Sequence, residues 1–599
     1  MDGWTRQVLR VNLSSGESRV EELDPALLVQ YLGGRGLGTH FVYNEVVPGS
    51  DPLGPDNILA FCTGPLTGVR LPTGGRSSMS TYSPLTGTVL DANSGSQFGV
   101  RLKWAGFDAL IISGRSPEPV WLEVSAEGVT IHPAGELWGL DIPTTVEHLH
   151  QRGTAVVCIG PAGERQVRFA SIANEEGRSY GRGGTGAVMG SKNLKAIQAR
   201  GTVKPSIAEE ELYKFVEYEA RKMVSASPRT SRGLPEFGTA VLVNLMNRYG
   251  VFPTRNFQAG TFAGAEAISG ERLREEYLVK RGACWSCPIG CKRVTKTNGA
   301  TGEGPEYETI YALGSNLDND DFDTLIEANY LCNRLGLDTI SAGATIGCAM
   351  ELVEEGVLDA ELSFGRSDLL LQTVEDIAYR RGLGDELAEG SRRLAERYGR
   401  PELAMQVKGL ELPAYDPRGM QGQGLLYATS NRGACHLRGN MLGPELLGIP
   451  KMLDRFSHQG KAGLLIVIQH TNAVIDSIGL CKFVNFAIGD DFFARMMSAV
   501  TGMKLEVQDL LLAGERIWNL ERLYNLRAGF TRADDTLPAR FLETPLPEGS
   551  SAGHVVHLDE MLADYYRFRG WTPDGIPTPG KLAALGLDEL PYLQEVVHA

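Results

Sequence analysis

The chain is short of several things, and each shortage excludes something. Nine cysteines in 599 residues are too few, and odd in number, for the disulfide framework of a secreted protein. No apolar run approaches the roughly 18 residues of a membrane span; the stretch at 464–468 is typical of those present. Met1-Asp2-Gly3-Trp4-Thr5-Arg6 lacks the apolar segment of a secretory signal. Cations are in deficit, 58 Lys and Arg against 73 Asp and Glu, a formal charge of −15, whereas nucleic-acid binding rests on a basic face. These features predict a cytoplasmic chain with no membrane span and no nucleic-acid partner. With 42% hydrophobic residues, it has the composition of a large globular protein rather than of a disordered or fibrous one.

Glycine is in excess, 72 residues without a fixed period, which means many tight turns and close backbone approaches. Up to about residue 205, short apolar runs at 7–12, 57–62, 109–113, 120–124 and 155–159 alternate with Gly, Pro and Asp clusters, the pattern of strands and turns. Beyond it helical spacing dominates, at 209–223, 323–335, 369–381 and from about 420 to 530. Pro413 and Pro417 break any helix between the last two regions. The expected class is α+β: a β-rich cofactor-binding domain over 1–205, then two mainly α-helical domains over 206–417 and 418–599, with the cofactor at their interface.

The sharpest signal is Cys284-Trp285-Ser286-Cys287-Pro288-Ile289-Gly290-Cys291. Its Cys-x2-Cys-x3-Cys spacing can bring three thiolates around one centre, and Pro288 and Gly290 let the chain curl instead of forming a helix. Three thiolates need a fourth ligand. An iron–sulfur cluster takes four cysteines; structural zinc takes four, or three and a histidine. The remaining cysteines are Cys62, Cys158, Cys332, Cys348, Cys435 and Cys481. Cys332 and Cys348, in apolar helical runs, read as small buried hydrophobes.

A short echo picks out Cys481. Asn333-Arg334-Leu335-Gly336-Leu337-Asp338 and Asp476-Ser477-Ile478-Gly479-Leu480-Cys481 share the form (Asp/Asn)-x-x-Gly-Leu-(Asp/Cys), each after a helical stretch. Gly336 and Gly479 fit the left-handed residue that ends a helix. Two such ends facing each other would line a pocket with carbonyls and carboxylates. Five glycine stretches precede them, at 33–38, 63–68, 73–78, 93–96 and 181–186, and Arg35, Arg76 and Arg182 lie in three of these. Exposed backbone N–H groups beside arginines suit phosphate or another anion, so a bulky anionic cofactor is expected.

Together these motifs, with Asp91-Ala92-Asn93-Ser94-Gly95, Gly304-Pro305-Glu306-Tyr307-Glu308 and Asn431-Arg432-Gly433-Ala434-Cys435-His436, resemble the tungsten-containing aldehyde:ferredoxin oxidoreductase family over nearly the whole chain. The resemblance implies a tungsten ion (molybdenum being the alternative) held by the dithiolenes of two pterins, beside a four-iron four-sulfur cluster on Cys284, Cys287, Cys291 and Cys481. It implies that Asn333, Asp338, Asp476 and Leu480 cradle the pterins, and that Asn93 and Gly183 offer carbonyls to a magnesium ion bridging the pterin phosphates. Gly95, Gly184 and Arg432 belong to the same cofactor-binding motifs. Arg76 and Arg182 are placed against the phosphates or the cluster, and Glu308 and His436 are the acid–base pair.

The implied reaction oxidises an aldehyde with water to a carboxylic acid and passes electrons to ferredoxin or to iron–sulfur or flavin subunits. Rival readings are an aromatic acyl-CoA (benzoyl-CoA) reductase of the same family and a non-catalytic iron–sulfur electron-transfer subunit. In some family members two copies share an iron held by a Glu and a His of each. Glu327 matches the acid, but residues 374–381 contain no histidine, which argues against that iron and leaves a homodimer or a hetero-oligomer arranged otherwise. Asn333 stands where the pterin motif commonly has Asp, so a weakened contact is expected there.

Overall fold

The structure, a computed structural model, describes residues 1–175 and 177–597. The class is α+β, as the sequence implied, with two six-stranded sheets in the N-terminal third. The first sheet has the order β2-β1-β6-β3-β4-β5, from β1 (Gln7–Asn12), β2 (Glu17–Glu22), β3 (Leu59–Thr63), β4 (Ser77–Tyr82), β5 (Val89–Ser94) and β6 (Ala109–Ser113). The second has the order β11-β10-β9-β12-β7-β8, from β7 (Val120–Ser125), β8 (Gly128–Pro133), β9 (Thr154–Cys158), β10 (Ile172–Asn174), β11 (Ser179–Tyr180) and β12 (Leu194–Arg200). Pairings are antiparallel except β1 with β6 and β7 with β12.

Alternation along the strands decides what each face covers. In the first sheet Leu9, Phe61, Met79, Leu110 and Ile112 point to the second sheet and share a core with its Leu122, Val157 and Ile197. The neighbouring residues Val8, Ala60, Cys62, Ala109 and Ile111 point the other way. They pack on Leu37, Phe41 and Val42 of the helix Gly34–Glu45 and on Ile475 and Ile478 of the helix Lys461–Ile478. That second helix is buried nearly all round, its polar residues Gln469, His470, Thr471, Asn472 and Asp476 included. A separate large core holds the middle and C-terminal helices together and runs across residue 417, from Ala240 to Trp571. Beyond these sheets lie a three-stranded one, β13 (Leu278–Gly282), β14 (Lys292–Lys296) and β15 (Thr301–Glu303), and a two-stranded one, β16 (Gln406–Val407) and β17 (Leu410–Glu411).

The glycine motif at 33–38 is not an anion-binding loop. It is the start of the helix Gly34–Glu45, and its glycines allow close packing. Gly34 has φ +37°, and a Cβ there would lie 2.3 Å from the Asp476 carbonyl oxygen. At Gly64 a Cβ would lie 2.2 Å from the Ile478 carbonyl carbon. The C-terminal end of the helix Lys461–Ile478 is thus pressed directly onto N-terminal backbone. Gly34→Ala should cost about 2–4 kcal/mol, combining left-handed strain with overpacking. Gly16→Ala, at φ +74° with nothing within 4 Å, should cost only about 1 kcal/mol. Thermal melts of both variants check this; equal shifts would contradict the close-packing account.

Candidate active site and cluster cradle

The Cys-x2-Cys-x3-Cys segment closes the hairpin between β13 and β14, whose last pair is Gly282 with Lys292. Ser286 and Gly290 supply the left-handed residues of the loop (φ +53° and +63°), and the Cys287 N–H donates to the Cys284 carbonyl at 3.1 Å. Cys481 arrives from elsewhere, two residues beyond Gly479, which ends the helix Lys461–Ile478 with φ +92°. The segment between β3 and β4 ties the two together. Thr73 N–H donates to the Ser286 carbonyl at 3.3 Å, and Arg76 N–H to the Gly479 carbonyl at 3.3 Å. Ser286 Oγ donates to the Leu71 carbonyl at 3.0 Å, and Cys481 N–H to Thr73 Oγ1 at 3.2 Å.

The cysteines lie close enough to feel one another's charge. Burial, with Cys481 and Cys284 among the nearby charges, pushes Cys287 up to about 11 and Cys291 higher. Cys284 differs: burial would raise it, but Arg178 and Arg76 hold it below its ordinary value. Arg76 Nη2 also donates to Cys481 Sγ at 3.6 Å. Gly95 leaves the space, since a Cβ there would lie 2.8 Å from Cys284 Sγ. Among the described residues no three His, Cys, Asp or Glu side chains are close enough to hold a single ion. A four-iron cluster asks for something else, one thiolate at each corner of a larger body. Arg76 beside Cys284 and Cys481, and Arg178 beside Cys284 and Cys291, fit such an anionic cluster.

Glu308 lies in the first turn of the helix Tyr307–Leu313. His436 Nε2 is 3.5 Å from Glu308 Oε1, and the two side chains keep only 13% and 15% exposure. Glu308 Oε2 accepts the Ala414 N–H at 2.9 Å, while Glu308 Oε1 and His436 Nδ1 have no hydrogen-bond partner among the described residues. Tyr307, Tyr311, Tyr415 and Tyr427 are buried around the carboxyl, and the Tyr415 ring is 5.6 Å from that of His436. Burial pushes Glu308 up to about 8. Burial, helped by Arg182, Arg432 and Lys482, lowers His436 to about 3. At neutral pH the pair is therefore a protonated acid beside a neutral imidazole, with one free polar atom on each.

Asp476, in the last turn of the helix Lys461–Ile478, is ringed by cations: Lys482 Nζ at 2.5 Å, Arg438 Nη1 at 3.3 Å and Arg35 Nη1 at 3.6 Å. Burial alone would raise its carboxyl, but Lys482, Arg438 and Arg35 hold it below the usual range. Arg35 is wholly buried and forks onto Glu521 at 2.6 and 2.7 Å. Arg432 and Arg438 both donate to the Asp91 carbonyl, at 2.6 and 2.7 Å. Four arginines nevertheless bury donors that no acceptor of the described chain takes: Arg35 Nη1, Arg76 Nε, Arg432 Nε and Arg438 Nε. Each such donor costs about 1–3 kcal/mol or more when charged. The set fits an anionic group rich in acceptors, as pterin phosphates are.

The other expected residues are placed as follows. Leu480 is buried, and Asp338 caps the helix Thr339–Glu354 by accepting the Ile340 N–H at 3.1 Å. Arg182 is committed to the protein rather than left free for phosphate: it donates to Asp338 at 2.9 Å, Ala434 O at 3.1 Å and Glu411 O at 2.9 Å. Asn333 is exposed with no side-chain partner among the described residues, so its half of the cradle rests on Asp338. Asn93 Nδ2 donates to Ser78 Oγ at 3.3 Å, and the Gly183 carbonyl accepts Ser83 Oγ at 2.7 Å, leaving one lone pair for a magnesium ion. Gly184 is left-handed (φ +83°) and heads the helix Thr185–Ser191. Glu327 accepts Thr297 Oγ1 at 2.9 Å within its own chain.

Sequence reasoning missed Arg178, Arg438, Lys482 and Glu521, took Arg35 for part of a loop, and gave Asp91 no role of its own. Cys435, one of the candidate cysteines, has an Sγ that accepts Arg432 Nη2 at 2.9 Å and the Leu437 N–H at 3.3 Å. Burial would raise that thiol, but Arg432, Arg438 and Arg182 hold it low.

Glu308 gives a stability test. Below the unfolded value, near 4.5, it is protonated in both states. Between there and its folded value of about 8, only the unfolded chain ionises, so its contribution to stability is lost as pH rises through that window. Glu308→Gln keeps the acceptor for Ala414 and removes the titration. The stability of the variant relative to wild type should therefore grow from pH 5 to pH 8 and then level off; a difference flat in pH would contradict the burial of Glu308.

The comparisons with known proteins agree with this geometry. The family model for the N-terminal domain of aldehyde ferredoxin oxidoreductase matches residues 8–201, and that for domains 2 and 3 matches residues 216–587. The tungsten-containing aldehyde ferredoxin oxidoreductases of Pyrococcus furiosus and Thermococcus kodakarensis are each 48% identical, over 98% of this chain and 99% of theirs. An aliphatic sulfonate oxidoreductase, WOR-like subunit, of Pyrococcus furiosus is 30% identical over 98% of both chains. Among solved structures, the active-site complex BamBC of benzoyl coenzyme A reductase with 1,5-dienoyl-CoA has a chain of the same fold. It superposes with a TM-score of 0.86 at 24% identity, over 99% of this chain and 98% of that one. Matched by both halves of the family description and by relatives nearly half identical from end to end, the chain belongs to the aldehyde ferredoxin oxidoreductase family.

Proposed function

We propose that this protein oxidises an aldehyde, with water, to a carboxylic acid, releasing two electrons and two protons, at a tungsten ion held by two pterins. Cys284, Cys287, Cys291 and Cys481 would hold a four-iron cluster, which would supply one-electron transfer toward ferredoxin or a partner subunit. The carrying observation is the Glu308–His436 pair, 3.5 Å apart, each with one unpartnered buried polar atom. Identity of 46–48% to aldehyde enzymes supports this substrate class over acyl-CoA reduction, where the likeness is one of fold.

Asp338, Asp476 and the Leu480 backbone would hold the pterin rings, and Arg432 and Arg438 their anionic edges. Arg76 would lie between Asp476 and the cluster thiols. Asn93 and Gly183 would offer carbonyls to magnesium. Neither tungsten nor molybdenum would take a protein ligand. Bound there, the metal would supply a two-electron acceptor and a Lewis acid. The chain's own residues manage the protons. Glu308 Oε1 is the free oxygen and takes the proton from water when ionised. A carboxyl tuned to about 8 is a strong base held close to working pH. His436 stays neutral, so it can donate one hydrogen bond to a substrate oxygen without adding a charge. The four tyrosines keep bulk water away from the carboxyl.

This reading sets two expectations. For anaerobically purified holoenzyme, kcat/KM for benzaldehyde with a viologen dye should rise about tenfold per pH unit below about 8 and level above it, following the ionisation of the buried Glu308 carboxyl. Glu308→Gln should lower turnover by roughly 100- to 10,000-fold with tungsten and iron content unchanged. Dye reduction with benzaldehyde kept by that variant would remove Glu308 from the reaction. Reduction of benzoyl-CoA in place of benzaldehyde oxidation would overturn the substrate class.

A further inference from the structure

The cysteine hairpin is also a surface feature. A groove of about 570 Å³ runs beside it, with Thr230, Ser231 and Pro235 on one wall and Arg281, Cys287 and Pro288 on the other. One of the four proposed cluster ligands, Cys287, is therefore part of the groove wall itself.

The charge of this face is opposite to that of the chain. In a protein of net charge −15, residues 221–235 hold four Lys or Arg and residues 278–302 hold five, with no Asp or Glu in either stretch. Arg229, Arg232, Lys280 and Arg281 are exposed, with no ion-pair or hydrogen-bond partner among the described residues. On the same strand as Lys280 and Arg281, Val279 is 55% exposed. Like charges gathered without partners do nothing for the fold; they repel weakly. Such a patch attracts an oppositely charged protein from a distance and orients it.

We propose that this face docks a small acidic iron–sulfur electron-carrier protein. The proposal rests on the reading above, that Cys287 and its three partners hold a cluster. The groove brings a docked carrier against a cluster ligand, Cys287, which shortens the path for an electron out of the protein. Each oxidised carrier takes one electron, so two are reduced per aldehyde oxidised. The carrier's acidic surface meets Arg229, Arg232, Lys280 and Arg281, and its apolar contact meets Val279.

The test uses holoenzyme, wild type and Arg232→Glu/Arg281→Glu, neither residue being part of the catalytic machinery. Two acceptors are compared: a purified acidic two-cluster ferredoxin and benzyl viologen. The charge reversal should raise the KM for ferredoxin at least tenfold at low ionic strength and leave dye-coupled turnover within twofold. Wild-type KM should climb with added salt as the charges are screened, and the variant should lose that dependence. Unchanged ferredoxin kinetics and salt dependence, with dye turnover intact, overturn the docking face. So does a variant that falls from dimer to monomer on gel filtration with ferredoxin kinetics unchanged, because the patch is then an interface between copies. A wild-type holoenzyme with no aldehyde-dependent dye reduction fails earlier, and sinks the functional reading instead.

Discussion

Everything in the site depends on one close approach. The C-terminal end of the helix Lys461–Ile478 meets N-terminal backbone at Gly34 and Gly64 with no room for a Cβ. That contact fixes three groups at once. Asp476 is set among Arg35, Arg438 and Lys482; Gly479 turns the chain; and Cys481 is delivered to the hairpin that carries Cys284, Cys287 and Cys291. The short segment 71–76 then bonds to both sides, through Thr73 and Arg76. A cofactor bound here is gripped by residues from both ends of the sequence.

Two buried carboxyls show how surroundings divide roles between like groups. Asp476 has three cations within 3.6 Å and stays ionised in spite of burial. Glu308 has tyrosines around it and only a backbone N–H on Oε2, so burial prevails and its carboxyl rises. The first is suited to holding a cofactor and the second to holding a proton. Arg432 and Arg438 act on the Cys435 thiol in the same direction as the cations act on Asp476, holding it below its ordinary value in spite of burial.

How much of this could be read from the sequence follows from the range of each interaction. The three clustered cysteines were legible because their geometry is local, a hairpin loop with one left-handed glycine. The two helix ends were legible for the same reason: Gly336 and Gly479 are left-handed caps where expected. Cys481 was picked out by the echo at the second helix end, but its role as cluster ligand and the acid–base pair came through resemblance, since nothing local links residue 481 to 284 or 436 to 308. Arg35 and Glu521 are 486 residues apart in sequence, and no spacing rule reaches that far. The motif at 33–38 misled because glycine for close packing and glycine for anion binding look alike in a sequence. Asn333 misled because an echo in sequence does not guarantee the same facing of the side chain.

The most direct check is the iron bound by Cys481→Ala, set beside Cys348→Ala, both purified without oxygen. Cys348 is buried in the helix Thr339–Glu354, away from the hairpin, and its variant should keep wild-type iron and the resonance signal of the reduced cluster. Cys481→Ala should lose both while remaining folded. A Cys481→Ala protein that keeps its full iron and an unaltered signal would contradict the account, because the helix end would then not supply the cluster's fourth thiolate.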